Sequence, residues 1–348
     1  MWIKGEYHAN FNTAQEVARG DLDASNVPGA GQSDLFDTLA WFEMLHRYCA
    51  PRSSPAIIRA RAEHTDMWLF LVHQSRTQLQ SLTNAYSFHF RPVFSGDLSP
   101  DTRIALVKGS AKRLKRKYSH ILLNAVPETD GTLDLLRSGF GRAGWLVIPN
   151  PVETNLYLDV GGRDFASYWA SRPAPLREMA ERKARKGLLD ISVHHRFDNV
   201  AWTEYEAVAA HSGTIHEDTA DFFRALAQEA GKTGRLRLGI AREGGHAVAA
   251  QFWTVDGRTA NIHSMADIAD ADGLSPGTLL SQAMFRDVID VDKVERIDFG
   301  AGEQAYKRDW ADSAAPLYRI DLFNLKKPQA WLPAIRESLS HLRRSRTI

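Results

Sequence analysis

Apolar and polar residues alternate most cleanly between Arg235 and Met265. The run "RLRLGIARE" ends at Gly244-Gly245, "HAVAAQFWTV" ends at Asp256-Gly257, and "RTANIHSM" follows. A period of two marks strands with one buried face. Asp-Gly between such runs signals a tight hairpin, because glycine accepts the positive φ of a type I′ turn. An antiparallel meander is therefore predicted. The period then changes: Leu280, Met284 and Val288 recur at helical spacing, with Leu279 and Ala283 beside them. A loop ending in Ser275-Pro276-Gly277-Thr278 precedes this helix, and "VERIDFG" follows it. That run reads as a buried strand, parallel to the last one because a helix intervenes. The segment closes on Gly-x-x-x-Tyr-Lys, from Gly302 to Lys307.

Upstream, residues 1–33 are polar and rich in Gly, Asp and Asn, which predicts a flexible lead-in. Asp34 is the expected cap of a helix through Leu35, Leu39, Phe42, Leu45 and His46. Strands are expected at "AIIRARAE", "MWLFLVHQ" and "SFHFRPVF", with His64 and Asp66 in a solvated turn between the first two. The helix "DTRIALVKGSAKRLKRKY" and the strand "HILLNAVP" come next. Strands, helix and strand loosely repeat the order seen after Arg235, which suggests two related halves, the first degenerate. A helix "TLDLLRSGFG" should stop at Gly139 or Gly141, where glycine ends helices readily. "GWLVIPN" then leads through Pro149 and Pro151 to "NLYLDV", and the domain junction is placed at about 145–165.

Residues 164–187 read as helical and basic, with Arg172, Arg177, Arg182, Lys183, Arg185 and Lys186. The strand "LDISVHHRFD" and two helices follow, joined by "HSGTIHED". His211 and His216 in that joint have adjacent carboxylates, but no third His or Cys at ligand spacing, so no metal site is expected. "APLYRIDLFN" is expected to close the second sheet. The last helix is apolar at Trp331, Leu332, Ile335, Leu339 and Leu342, a periodicity that predicts docking onto the core. Its Arg343, Arg344 and Arg346, like the "KRLKRKY" cluster of Lys112, Arg113, Lys115, Arg116 and Lys117, also suit an anionic surface. The expected class is α+β (mixed α/β), divided into 1–33, 34–155, 156–325 and 326–348.

The chain has 348 residues and a net charge of +1, so bulk attraction to DNA is not indicated. The single cysteine, Cys49, cannot form an internal disulfide and reads as a small hydrophobe. No apolar run is long enough to span a bilayer, and a cytoplasmic protein is expected, with peripheral contact to the inner membrane face as an option.

"LSPGTLL", "IDFGAGEQAYKRDWA", "SLTNAYSFHFRPV" and "LFDTLAWFEML" together resemble the GNAT acyltransferase superfamily. More narrowly they are similar to its FemAB-like branch, often labelled CelD/BcsL after cellulose biosynthesis. The resemblance implies tandem GNAT-like domains and an acyl-CoA co-substrate. Amides of Gly277, Thr278 and Leu279, with Ser275, would receive the CoA pyrophosphate at a helix start; an ordinary helix cap is the other reading. Splayed parallel strands would admit the pantetheine arm, and a backbone amide near Ile262 or Ser264 would polarise the thioester carbonyl. His263 is the expected base, or else a satisfied sheet histidine; Asp298 is a catalytic or structural alternative. Tyr306 would protonate the leaving thiolate, and Lys307 would hold a phosphate. His216 and Glu217 would lie in a loop over the acceptor. The chain departs from the usual Gln/Arg-x-x-Gly-x-Gly/Ala signature, having Asp272-Gly273-Leu274-Ser275-Pro276-Gly277-Thr278 instead. The implied activity is acyl-CoA-dependent N-acylation of a cell-envelope amine, such as a sphingoid base or an amino sugar. The alternatives are aminoacyl transfer from tRNA, which the net charge and the missing helical-hairpin insertion make less apt, and a non-catalytic scaffold in polysaccharide export.

Overall fold

The computed structural model describes residues 3–11, 34–62, 65–95, 98–213, 217–268, 273–302 and 304–344. The chain divides into two compact units, residues 1–154 with 315–348, and residues 155–314. In chain order, the first stretch contains β1 (Lys4–His8), α1 (Leu39–Cys49), β2 (Pro55–Ala62), β3 (Thr65–Ser75), β4 (Gln78–Ser81) and β5 (Val93–Ser95). It continues with α2 (Pro100–Lys115), β6 (His120–Pro127), α3 (Thr132–Arg142) and β7 (Leu146–Asp159). The second stretch holds α4 (Phe165–Ala170), α5 (Ala174–Ala184), β8 (Leu189–His194), α6 (Asn199–His211), α7 (Glu217–Lys232), β9 (Leu236–Glu243) and β10 (His246–Asp256). β11 (Thr259–Asp267), α8 (Pro276–Arg286), β12 (Arg296–Ala301) and α9 (Ala305–Arg308) complete it, before β13 (Ser313–Phe323) and α10 (Trp331–Arg344).

In the first unit the strands run in the order β1-β2-β3-β4-β6-β13-β7, with β5 added on β3. In the second they run from the end of β7 through β12, β11, β10 and β9 to β8. Each unit contains antiparallel strands, a helix whose first residue is a proline preceded by serine, and then a strand that pairs parallel with one from before the helix. β4 pairs β6 at three positions, Gln78↔His120 to Gln80↔Leu122. β11 pairs β12 at three, Thr259↔Arg296 to Asn261↔Asp298. The second unit's core packs α8 residues Leu280, Met284 and Phe285 against Trp253, Ile262, Ile297 and Phe299. Gly239 makes room for this helix: a Cβ there would lie 2.6 Å from Met284 Sδ and 2.9 Å from Leu280 Cδ1. Gln251 fixes it in place, its Nε2 donating to Ser281 Oγ at 2.7 Å and to the Gly277 carbonyl at 3.2 Å. Among the described residues no helix is long and apolar enough to cross a membrane.

The meander, α8 and its flanking strands follow the sequence pattern closely. Elsewhere the structure corrects it. Residues 4–8 of the expected lead-in form β1, paired antiparallel with β2. Asp34 caps only a 3₁₀ turn, Leu35–Asp37, and Thr38 caps α1 by accepting from the Trp41 amide at 3.1 Å. "SFHFRPVF" is a strand only at its end, where β5 pairs β3. Phe88 and Phe90 are buried, but Arg91 and His89 are drawn into an acidic cluster, and Pro92 has no amide to give a ladder. α3 runs through both Gly139 and Gly141 to Arg142. Gly139 is there for close packing, since a Cβ would meet Val107 Cγ1 at 2.3 Å; Gly144, with φ +80°, follows the helix end. β7 runs unbroken through both prolines. The closing strand "APLYRIDLFN", expected in the second domain, groups with the first unit and pairs β6 antiparallel. Asp66 is not solvated: it is buried and accepts from Arg59 Nε at 2.9 Å and Nη2 at 2.7 Å. His64 lies outside the described residues.

The basic clusters are partly structural. Lys115 Nζ donates to the Ala143 carbonyl at 3.0 Å, Arg113 packs on Gly5, and Lys117 lies over the Tyr7 and Tyr118 rings. Buried Arg172 donates to the Trp310 carbonyl at 3.1 Å and pairs with Asp312. The last helix does not bury its apolar row, which is taken up below.

Candidate active site

β11 and β12 stop pairing after Asn261 and Asp298, yet β11 continues to Asp267 and β12 to Ala301. Both strands carry a local reason for parting. On β11, Trp253 faces Ile262 and Phe252 faces Ser264, so His263 is an extra residue in the ladder. Such a bulge bends the strand and re-aims its backbone. On β12, the Asp298 carboxylate accepts from the Gly300 amide at 2.8 Å and from Asn155 Nδ2 at 3.0 Å. The side chain thus folds its own backbone two residues on, as aspartates do in turns. Carbonyls at this end of β12 are taken up by Lys307, whose Nζ donates to Phe299 O at 3.0 Å and Ala301 O at 3.3 Å.

The bulge decides what His263 can do. Its ring stacks on Phe252 at 5.0 Å between centroids, and Nε2 lies 2.8 Å from Thr254 Oγ1. Burial pushes the imidazole down to about 3, since a charged ring there would lose its hydration. A histidine so reluctant to take a proton is a poor base near neutral pH, and the geometry fits the sheet-histidine reading. Ile262 lies in the core cluster with Leu280. Ser264 is buried, and its hydroxyl has no hydrogen-bond partner among the described residues.

The end of β11 meets the start of α8. Ser275 takes a left-handed backbone, φ +53°, and its side chain does not cap the helix. The Thr278 and Leu279 amides donate back to the Ser275 carbonyl at 3.1 and 3.2 Å, which leaves Gly277 as the foremost of the three expected anion donors. A Cβ on Gly277 would sit 2.9 Å from Asp267 Oδ2, so the exposed carboxylate at the end of β11 lies directly on this first turn. Lys183, from the basic α5, reaches Gly273 in the loop before the helix; a Cβ there would be 2.9 Å from Nζ. A cavity of about 200 Å³ beside α8 is lined by Lys183, Leu279, Gln282 and Arg286 among others.

Tyr306, on α9, is 47% exposed. Partial burial, then the charge of Asp267, raises its phenol pKa, so it holds its proton at neutral pH. Lys307, next along, is 8% exposed; burial lowers its ammonium pKa, against the pull of Asp298. Bonded to two β12 carbonyls, it is a brace for the strand end rather than the expected phosphate ligand. Of the expected site residues, Ser275, Gly277, Thr278 and Leu279 lie at the start of α8, where Asp267 rests on Gly277 and its charge also reaches Tyr306, while Ile262 and Ser264 stand on β11 past its last pair with β12. His263, Asp298 and Lys307 serve the framework. His216 lies outside the described residues, and Glu217 is the first residue of α7. Sequence reasoning missed Asp267, Asn155 and Gln251. Only Asp267 left a trace, as a carboxylate ending the strand before the Gly-containing loop.

A family model described as an acetyltransferase (GNAT) domain matches residues 170–308, which span the meander, α8, β12 and α9. No curated protein matches the chain. Among solved structures, the chain is similar to FemX, at 10% identity and TM-score 0.61, over 94% of this chain and 98% of that one. It is similar to L-PGS from Bacillus licheniformis, at 11% identity and TM-score 0.55, over 96% of each. It is also similar to the C-terminal domain of a lysylphosphatidylglycerol synthetase from Agrobacterium fabrum, at 15% identity and TM-score 0.51, over 78% and 84%. The match thus places a GNAT-type acetyltransferase domain at residues 170–308, within a mixed α/β fold that the chain shares with these solved structures, and it supports an acyltransferase.

Proposed function

We propose that the second unit transfers an acyl group from a CoA thioester to the amine of a cell-envelope precursor. One observation carries this reading. Past their last pair β11 and β12 part, and β11 runs on to Asp267, which lies on Gly277 at the start of α8 and whose charge reaches Tyr306. A slot between parallel strands suits a narrow pantetheine arm, and the helix start beside it suits a pyrophosphate.

In this reading the thioester carbonyl lies against the β11 backbone at Ile262–Ser264, past the last β11–β12 pair, and takes a hydrogen bond from an amide there. That amide stabilises the oxyanion as the tetrahedral intermediate forms. The amine attacks the carbonyl carbon, the C–S bond breaks, and CoA leaves as the thiolate. Two proton movements remain. Asp267, at the mouth of the gap, accepts the ammonium proton directly or through water. Tyr306, kept protonated, donates a hydrogen bond to the departing sulfur. Positioning supplies most of the rate, as is general for direct transfer between two bound substrates. A lipid amine such as a sphingoid base, or an amino sugar, fits the acceptor chemistry.

Asp267 also favours a second reading. A carboxylate on the first turn of α8 opposes a pyrophosphate by like charge, which suits a donor without one, such as an aminoacyl ester on tRNA. Calorimetry with CoA, acetyl-CoA and palmitoyl-CoA separates the two. The CoA reading expects micromolar binding, and tighter binding by several-fold in Asp267→Asn, where one repulsive charge is gone. Binding of palmitoyl-CoA alone would point to lipid N-acylation. No heat from any of the three, in either protein, would overturn the CoA reading and favour aminoacyl transfer.

A further inference from the structure

α10 is docked the wrong way round for a core helix. Its periodic apolar residues point outward: Trp331 is 55% exposed, Leu332 58%, Ile335 57%, Leu339 53% and Leu342 56%. The face toward the first unit is small and polar. Ala334 packs with Ala330, Ile148 and Phe323. Glu337 accepts from Asn150 Nδ2 at 3.0 Å and pairs with Arg319 at 2.7 Å, while His341 Nδ1 lies 3.1 Å from Asn150 Oδ1. Asn150 is fully buried, so this polar lock fixes the helix's rotation. An amphipathic helix held by its polar side and presenting its apolar side is not packed for the interior of its own chain.

We propose that this face lies in the interfacial plane of an anionic lipid bilayer. On the helical wheel the five side chains cover about 100° of arc. Exposed Arg336 and Arg343 flank that arc on one edge, and Trp331 stands at the helix start beside exposed Leu325. Apolar residues between an aromatic anchor and flanking arginines match the depth profile of a membrane interface: acyl chains meet the row, and lipid phosphates meet the guanidinium groups. A second copy is the weaker occupant. Five half-exposed side chains present on the order of 500 Å², short of the ~800 Å² per partner typical of stable interfaces. A row flanked by arginines would also bring like charges together. This surface is independent of the acyl-transfer reading, and its test does not involve CoA.

Co-sedimentation of the full chain with vesicles tests it. Binding is expected to vesicles of phosphatidylcholine with a quarter phosphatidylglycerol, and much less to phosphatidylcholine alone. Ile335→Gln with Leu339→Gln changes only exposed positions, so the fold, checked by circular dichroism, should persist while vesicle binding falls at least tenfold. Arg336→Gln should weaken binding to the anionic vesicles by about fivefold, the worth of one basic residue near such a surface. Absent sedimentation with both vesicle types, or unchanged binding in the double variant, would overturn the proposal. So would a dimer in light scattering that the double variant dissociates, which would assign the face to a second copy.

Discussion

Tyr306 and His89 show how position decides what a titratable side chain does. Tyr306 is half-exposed beside Asp267, and that carboxylate together with partial burial keeps the phenol protonated. If it serves the leaving sulfur, Tyr306→Phe should lower kcat roughly 10²-fold, within the usual range for proton-transfer groups, and leave the KM for acyl-CoA within about threefold. Steady-state kinetics checks this, and unchanged kcat would remove the role. His89 belongs to the first unit, where its Nε2 lies 3.4 Å from Asp34 and 3.6 Å from Asp37. Arg91 holds the same carboxylates at 2.7 and 2.6 Å, and Asp130 at 3.1 Å. Asp34, Asp37 and His89 are near enough to one another to hold a cation. Arg91 already pairs with both carboxylates, and the same carboxylates favour the protonated imidazole. Burial opposes the imidazolium, but Asp34 and Asp37 outweigh both burial and Arg91 and raise its pKa above 6.5. A raised histidine pKa means that the folded state binds the proton more tightly. Its contribution is complete below about 6.5 and is lost as pH rises through the folded value. The thermal midpoint of the first unit should therefore fall as pH rises above about 6.5, and His89→Gln should flatten that slope. Melting curves across this range decide it; an unchanged slope in the variant would exclude His89 as the source.

At the scale of elements, α8 is the piece whose seat most closely controls the candidate site. Gly239 gives it space on β9, and Gln251 tethers its first turn. Gly239→Ala would drive a methyl into Met284 and Leu280, an overpacking cost of about 1–3 kcal/mol. Chemical denaturation should show that loss. Because the start of α8 moves with its seat, CoA affinity should fall with it; full stability in the variant would show that the helix yields freely. This region was the most legible in the sequence. Its strands alternate strictly, its turns are Gly-Gly and Asp-Gly, and its helix starts at a proline. A repeat signal was also present but missed: Ser99-Pro100-Asp101-Thr102 opens α2 as Ser275-Pro276-Gly277-Thr278 opens α8. The two starts differ in a telling way. Ser99 caps α2 by accepting from the Thr102 amide at 3.2 Å, and Asp101 adds a negative charge to the first turn. Ser275 makes no side-chain cap, and glycine replaces the aspartate. In the first unit, too, the Ser81 hydroxyl accepts the Asn124 amide at 2.9 Å just past the last β4–β6 pair. The first unit thus has a capped helix start and a hydrogen bond across its strand gap, the features expected of a half that holds no donor. What the sequence hid was partnership. Nothing in "SFHFRPVF" says that its charged residues will leave the sheet for Asp34 and Asp37. Nothing in "LDISV" or "NIHSM" reveals that Asp267 will rest on Gly277, and His263 looked catalytic because its bulge is invisible in the sequence.

At the scale of the whole molecule, chain order and spatial order part company at β13. It follows the second unit in sequence but supplies Leu317, Ile320, Leu322 and Phe323, all at most 3% exposed, to the first. A sequence reading assigns a strand to its nearest neighbours, and only a register reveals otherwise: Ile320 pairs Leu123, and Phe323 pairs His120, some two hundred residues away. The first unit therefore cannot be complete until its last strand arrives, whereas residues 236–301 hold the meander, α8 and β12 within one short span. A charge buried in β13 should separate the two. Ile320→Asp places a carboxylate at a position of zero exposure, a loss of about 4 kcal/mol or more for an unpaired buried charge. In hydrogen–deuterium exchange on the full-length variant, amides of β6 and β4 should lose protection first, with 236–301 exchanging as in the parent protein. Faster exchange in 236–301 with β6 unaffected would mean that β13 stabilises the second unit instead. Retained protection in both would mean that the first unit's sheet is complete without it.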